Sequence, residues 1–297
     1  HPSFVELANL FSLGKVAVVA NTGPLVEPIT KAQYLARSRQ RPESLFSHSD
    51  QQAQWQSSTS TGDILTGWGG RIADRMSSYN TGSPVPMALS FAGSNMYVNG
   101  AAAQPLTLPQ SGGFSLSGIN TNPANRSAIE RARLDALNAM LVADRNNRLM
   151  LAAGGTFKGA LDSSAMLDPI TRPDTQSYVS FFRNAQGALP GSGLTRQLLQ
   201  VAKIIEARAT LGHARDVFFV SQGGYDTHNN QLTSQATLLR EVSTALNAFY
   251  QATVQLGVSN AVTAFTLSDF GRTFKPAAGT PPGATTVTTC SPRRLMT

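Results

Sequence analysis

The stretch Asp216–Ser221, DVFFVS, decides the fold class, because four consecutive large apolar residues are typical of a strand buried on both faces. Apolar residues at helical spacing precede it over 194–211 and follow it over 231–256. Two further apolar runs, KVAVVA at 15–20 and AVTAFTLS at 261–268, are predicted to be strands of the same kind. Strands that alternate with helices predict an α/β fold with a mainly parallel sheet and helices on both faces.

The other periodic stretches extend this alternation. Helices are predicted over 2–13, 30–37, 66–77 and 123–152, strands over 87–91 and 96–98, and polar loop with short helical turns over 39–60.

Residues 1–275 are expected to form a single α/β domain. The segment 101–122 is rich in Gly, Ser and Pro, which predicts a surface excursion. Residues 276–297 lack apolar periodicity and are rich in Thr, Pro, Gly and Arg, which predicts a disordered tail that does not join the core.

Composition excludes several classes of protein. Among 297 residues, Cys290 is the only cysteine, so the chain holds no internal disulfide and no cysteine-rich metal site. The apolar runs are much shorter than the roughly 20 residues that cross a bilayer, which predicts no membrane span. Only 14% of residues are charged, a balance common in exported proteins, and no signal peptide is visible.

The net charge of +7 does not predict a nucleic-acid partner, because the basic residues are thinly clustered. One cluster consists of Arg37, Arg39 and Arg41. The other, around Arg131, is interleaved with Glu130, as on a solvated helix face.

The first candidate site is Gly223–His228, GGYDTH, directly after the strand 216–221. In extended chain Asp226 and His228 point to the same side, and a carboxylate with an imidazole is half of a plausible metal site. The alternative is a turn in which His228 caps the following helix. Spacing alone favours this turn over a metal site.

The second candidate site is Ser268–Thr273, SDFGRT, which also follows an apolar run. Ligands of open α/β sheets bind beyond the carboxyl ends of strands, where Asp269 would act as metal carboxylate or general base and Arg272 would pair with a substrate anion. The alternative is a turn capped by Asp269 with Arg272 as its partner.

Four stretches together resemble a large bacterial family of unknown function that is usually exported by the twin-arginine route. They are VVANTGPL at 18–25, LFSHSDQQ at 45–52 with GWGGR at 67–71, GYDTH at 224–228 and SDFGRT at 268–273. The family looks like a branch of the alkaline phosphatase and sulfatase superfamily, whose members use one or two divalent metals. The resemblance implies an alkaline-phosphatase-like fold and a periplasmic or extracellular location.

The resemblance also implies residue roles. Asp226, His228 and Asp269 match metal ligands for Zn, Mg or Ca, and Arg272 follows in the same motif. Thr30 is the candidate nucleophile, since it caps a helix after the first apolar run. His48 and Asp50 are weaker pocket candidates, expected chiefly to hold a loop by hydrogen bonds.

Two departures from the family pattern predict a protein incomplete at both ends. The family opens with a strand and an Asp-bearing loop before the point where this chain begins, and continues after SDFGRT into a His-bearing segment. Here residues 282–290 read PGATTVTTC, which a shifted reading frame would allow to encode WGNHGDHVL. We therefore expect an incomplete metal-dependent phosphoester or sulfoester hydrolase that is inactive or very weak.

Two alternatives remain beside this interpretation. The hydrolase would act on a small anionic ester. The first alternative is a non-catalytic exported module that binds a surface polymer or a partner. A serine hydrolase using His228 is disfavoured, because GFSLS at 113–117 lacks the second glycine of a nucleophile elbow.

Overall fold

The computed structural model describes residues 1–20, 22–115, 118–120, 122, 126–142, 147–228, 230–272 and 290–291, the last two and Arg272 by their backbone. The helices of this part are α1 (Val5–Ser12), α2 (Lys31–Ala36), α3 (His48–Ser57), α4 (Trp68–Met76), α5 (Ala128–Leu141), α6 (Arg148–Thr171), α7 (Leu194–Glu206), α8 (Arg208–Leu211) and α9 (Gln231–Gln255). The strands are β1 (Ala88–Ser90), β2 (Leu106–Thr107), β3 (Val217–Phe219), β4 (Gly271–Arg272) and β5 (Cys290–Ser291). Short 3-10 helices span Ser77–Asn80 and Ser177–Phe182.

A small parallel sheet lies at the centre of the described chain. β1 is its middle strand, with β2 on one side and β3 on the other. Leu89 of β1 is in register with Leu106 and with Phe218. The three strands run in the same direction, so their carboxyl ends meet at one edge of the sheet, which is where sites of α/β proteins are built.

Apolar side chains cover both faces of β3. Phe218 packs against the larger core cluster, which includes buried residues of α7 and α9. Val217 and Phe219 pack against a smaller cluster that contains Tyr97 and Ala73 of α4, and Trp68 packs on the same cluster. This packing on both faces of a half-buried strand supports the α/β class predicted from DVFFVS, although the parallel sheet has only three strands in the described part.

Two of the predicted strands are absent, which corrects the sequence analysis. Residues 15–20 and 262–268 form neither helix nor strand, residue 261 lies in a turn, and none of them pairs with a strand of the described chain. Val18 is 77% exposed and Phe265 is 51% exposed. Apolar β-branched composition makes a segment suitable for a sheet, but a strand forms only where a neighbour offers its backbone groups. Residues 96–98, also predicted as a strand, lie in a turn.

Two helix predictions were wrong, because the spacing of apolar residues did not show where one helix ends and the next begins. The helix expected over 123–152 is two helices, α5 and α6, and residues 143–146 between them lie outside the described part. A Cβ atom on Gly154 would lie 2.5 Å from the carbonyl oxygen of Leu141, so α6 lies against the end of α5. The ten-residue α3 was also missed within 39–60.

Two further segments are partly described. Within the predicted surface excursion 101–122, Leu106 and Thr107 form β2, and Leu108 is buried. Of the tail 276–297, only Cys290 and Ser291 are described, and they pair antiparallel with β4. None of the described helices is both long and apolar enough to span a membrane.

Candidate acid–imidazole site

The loop after β3 is held at the carboxyl edge of the sheet by paired polar side chains. Gln197 of α7 makes two hydrogen bonds with the backbone of Ser221, at 2.8 and 2.9 Å. The Tyr225 hydroxyl donates to Gln222, which in turn donates to Glu241 of α9 at 2.8 Å. These contacts carry the chain outward to Asp226 and His228.

Burial raises the pKa of the Tyr225 hydroxyl, and the nearby Glu241 carboxylate acts in the same direction. Tyr225 therefore remains a neutral hydrogen-bond donor over the physiological range, and its contact with Gln222 does not depend on pH there.

Helix α3 brings a histidine to the same place. Ser47 caps α3, and its hydroxyl accepts a hydrogen bond from the backbone N–H of Asp50. The cap fixes the first turn of the helix, whose first residue is His48. The ring of His48 packs edge-on against Phe270, with ring centroids 5.1 Å apart.

His48 links the two predicted motifs. Its Nδ1 atom lies 2.7 Å from Oδ2 of Asp269, and its Nε2 atom lies 3.5 Å from Oδ2 of Asp226. Nε2 of His228 lies 3.2 Å from the same Asp226 oxygen. Gln52, one turn along α3, donates to Asp269 at 3.2 Å. We call Asp269, His48, Asp226 and His228 the acid–imidazole cluster.

The imidazole of His48 stands between the carboxylates of Asp226 and Asp269. Both ring nitrogens face carboxylate oxygens, and Nδ1 makes a hydrogen bond with Asp269. The cluster is open to solvent, since the side chains of Asp226 and His228 are 45% and 61% exposed and that of Asp269 is 19% exposed. Like charges on Asp226 and Asp269 are thus bridged rather than left to repel.

The donor set suits a divalent cation, although its present arrangement does not enclose one. Two carboxylates and two imidazoles are ligands that Zn²⁺ and related metals accept. No group of three or more His, Cys, Asp or Glu side chains within the described ranges is placed to hold a metal ion. The His48 ring lies between the two carboxylates. The cluster therefore has suitable ligand atoms, but they do not surround one point where a metal ion could sit.

The remaining predicted site residues lie away from the cluster or outside the described part of the structure. Thr30 caps α2 as predicted, with its hydroxyl accepting from the Gln33 backbone and the Gln33 side chain accepting from Thr30 N–H. No hydrogen bond or ion pair among the described residues joins Thr30 to the cluster. Asp50 is exposed in the first turn of α3. The Arg272 side chain lies outside the described part, although its backbone forms β4.

Sequence reasoning ranked His48 as a weaker pocket candidate, expected chiefly to hold a loop, and so underrated it. The available signal was Ser47 with Asp50, an N-cap pair that places the intervening histidine at the start of a helix. Its proximity to Asp226 and Asp269 had no local signal, because the residues are 178 and 221 positions away along the chain (226 − 48 and 269 − 48).

Fold and site together define a helix-covered parallel sheet with an acid–imidazole cluster beyond its carboxyl edge. Residues 6–284 match the family described as "Protein of unknown function (DUF1501)", and the chain belongs to that family. The chain matches no curated protein and no solved structure.

Proposed function

We propose that the protein is a divalent-cation-binding relative of phosphoester and sulfoester hydrolases, with Asp226, His228 and Asp269 as cation ligands. The observation that supports this is the meeting of GYDTH and SDFGRT at His48, although the motifs are separated by a whole helix, α9. The alkaline-phosphatase-like assignment and export to the periplasm or beyond rest on the resemblance of the motifs and belong to the same proposal.

Each residue of the cluster has a definable task. Asp226 and Asp269 supply negative charge, and His228 adds a nitrogen ligand beside Asp226. His48 and Gln52 hold the Asp269 carboxylate in place through hydrogen bonds. A bound cation would supply charge stabilisation for the transferred phosphoryl or sulfuryl group. We propose that turnover is weak, since the four side chains form a line of contacts rather than converging on one point.

A second function, a non-catalytic exported binding module, is favoured by one observation. Asp226 and His228 are about half exposed, and no hydrogen bond or ion pair within the described ranges joins them to the predicted Thr30. In that case the same cluster would contact a surface polymer or a partner without performing chemistry.

Calorimetric titration with Zn²⁺, Mn²⁺, Mg²⁺ and Ca²⁺ separates the two. We expect the wild type to bind at least one of these ions, and Asp226→Ala and Asp269→Asn each to weaken binding by more than about 100-fold, since each removes a ligand. Asp162→Ala is the matched control, because this aspartate lies in α6 and pairs with Lys158 instead of the cluster.

The outcome decides between the functions. Binding that both site variants abolish, followed by cation-dependent release of nitrophenol from nitrophenyl phosphate or sulfate, supports the hydrolase proposal. A wild type that binds none of the four ions contradicts it and leaves the binding-module alternative.

A further inference from the structure

An open cleft of about 470 Å³ is lined by the last part of α2 and by the loop that leads from α2 to α3. Its charged lining residues are Arg37, Arg39, Arg41 and Glu43. Three arginines against one glutamate leave a formal charge of +2 on the lining. None of the four residues of the acid–imidazole cluster lines this cleft. We call it the arginine cleft.

The loop that forms the arginine cleft is anchored at two places. The side chain of Arg39 and the backbone N–H of Gln40 donate to the two carboxylate oxygens of Glu27, at 2.8 and 2.9 Å. Further along, the buried side chain of Gln54 in α3 donates to the carbonyl of Glu43 at 2.7 Å. Fixed backbone on both sides of Arg41 means that a ligand would meet a cleft that is already formed.

Most of the arginine N–H groups in the cleft are not used by the protein. The guanidinium carbon of Arg41 lies 5.3 Å from the centroid of the Tyr34 ring, a contact that engages the ring and requires no hydrogen bond. Within the described ranges, no hydrogen bond or ion pair engages the side chain of Arg37 or Arg41, and Arg39 uses only Nη1, for Glu27. The cleft therefore offers several charged donors to one ligand.

We propose that the arginine cleft binds a small organic phosphate monoester, with Arg37 and Arg41 contacting the phosphate oxygens. A guanidinium presents its donors in a planar fork that matches phosphate oxygens. A dianionic phosphate balances the +2 charge of the lining, whereas a carboxylate does not.

The size and the apolar lining of the cleft favour an organic ester over a bare anion. Sites for small organic ligands usually measure roughly 300–1,000 Å³, and the cleft falls in that range. Phe46 lines the cleft with its side chain 60% exposed, and Tyr34 lines it as well. These two rings are available to contact the organic group of the ester.

The test is calorimetric titration of the whole chain with phenylphosphonate, a phosphate-ester analogue that cannot be hydrolysed, in mildly alkaline buffer with a chelator. We expect binding by the wild type. Arg37→Asn and Arg41→Ala should each weaken it by at least about tenfold, because each removes charge-assisted hydrogen bonds. Asparagine is chosen at position 37 because the backbone φ of Arg37 is 52°, which asparagine tolerates.

A matched control separates the cleft from the overall charge of the protein. Arg215→Ala removes the same charge and the same kind of contact, since the guanidinium of Arg215 lies 5.4 Å from the centroid of the Tyr79 ring, outside the cleft. It should bind phenylphosphonate as the wild type does. Benzoate and methylphosphonate test the two parts of the ligand, and both should bind more weakly. Circular dichroism should show that all variants remain folded.

The proposal is overturned by a wild type that does not bind phenylphosphonate, by Arg37→Asn and Arg41→Ala variants that bind it unchanged, or by an equal loss in Arg215→Ala. Benzoate bound as tightly would overturn the preference for a dianion, and methylphosphonate bound as tightly would overturn the role of the organic group. Because a chelator is present, the result is independent of the proposed cation site. A protein that binds a divalent cation but not phenylphosphonate would retain the proposed function and lose this one.

Discussion

Asp174 lies between two cationic side chains of α7 and pairs with both. Its carboxylate accepts from Lys203, whose side chain is fully buried, at 2.7 Å and from Arg196 at 3.0 Å. Lys203 also donates to the carbonyl of Thr171 at 2.8 Å. These contacts tie α7 to the end of α6, because Thr171 is the last residue of that helix.

Asp174→Ala should strongly destabilise the protein, because it leaves the Lys203 charge buried without a counterion. We expect a loss of about 3 kcal/mol in the free energy of unfolding, measured by urea denaturation. Asp162→Ala, which breaks an exposed pair with Lys158 in α6, should change it by less than about 1 kcal/mol.

The same pair predicts a dependence of stability on pH. Burial raises the pKa of the Asp174 carboxyl, but hydrogen bonds and charges from Lys203 and Arg196 outweigh burial, so the net pKa is lowered. A carboxyl whose pKa is lower in the folded state stabilises the fold above its unfolded pKa, and this is lost as pH falls through its folded pKa. The acid-induced loss of stability should therefore be smaller in Asp174→Ala. An equal loss in both proteins would contradict this assignment.

At the scale of elements, α4 packs closely against a neighbouring loop because its first turn is rich in glycine. Composition alone does not predict this contact. The N–H of Gly67 donates to the carbonyl of Asn99 at 2.8 Å, and that of Gly70 donates to the carbonyl of Tyr97 at 2.9 Å. A Cβ atom on Gly70 would lie 2.1 Å from the Asn99 carbonyl group. The first turn of α4 thus rests directly on the backbone of 97–99.

Gly70→Ala should destabilise the protein, against the usual effect of replacing a helical glycine. The added methyl group meets backbone, which moves only with the whole loop, so we expect a loss of about 3 kcal/mol in denaturation. Gly155→Ala in α6 is the control, because its Cβ atom would meet nothing within 4 Å. That change should stabilise by about 0.5–1 kcal/mol through helix propensity. Equal effects of the two substitutions would show that α4 is not packed as described.

For the whole molecule, the acid–imidazole cluster joins parts of the chain that lie far apart in sequence. α3, the loop after β3 and the loop before β4 meet there, through His48 and Gln52. A cation bound by Asp226 and Asp269 would replace the bridge that His48 now makes and would link two of these loops.

Thermal unfolding with and without divalent cation should therefore report the site. A ligand present at 100 times its dissociation constant adds about 2.7 kcal/mol to the stability of a protein that binds it only when folded. We expect a rise in Tm for the wild type, reversed by a chelator, and no rise for Asp226→Ala. A rise of the same size in both proteins would place the cation elsewhere.

The sequence alone determined the features that depend on neighbouring residues. DVFFVS predicted a strand packed on both faces, Thr30 as an N-cap predicted the start of α2, and the period of 231–256 predicted α9. These succeed because side-chain periodicity and helix capping are interactions within a few residues.

Tertiary structure alone decided which strands pair and which side chains meet. The runs 15–20 and 261–268 have strand composition, yet neither forms a strand, because pairing requires a free backbone edge at the right place. Likewise, nothing near His48 in the sequence indicates that it bridges Asp226 and Asp269. Both outcomes depend on contacts between distant parts of the chain, which no local pattern encodes.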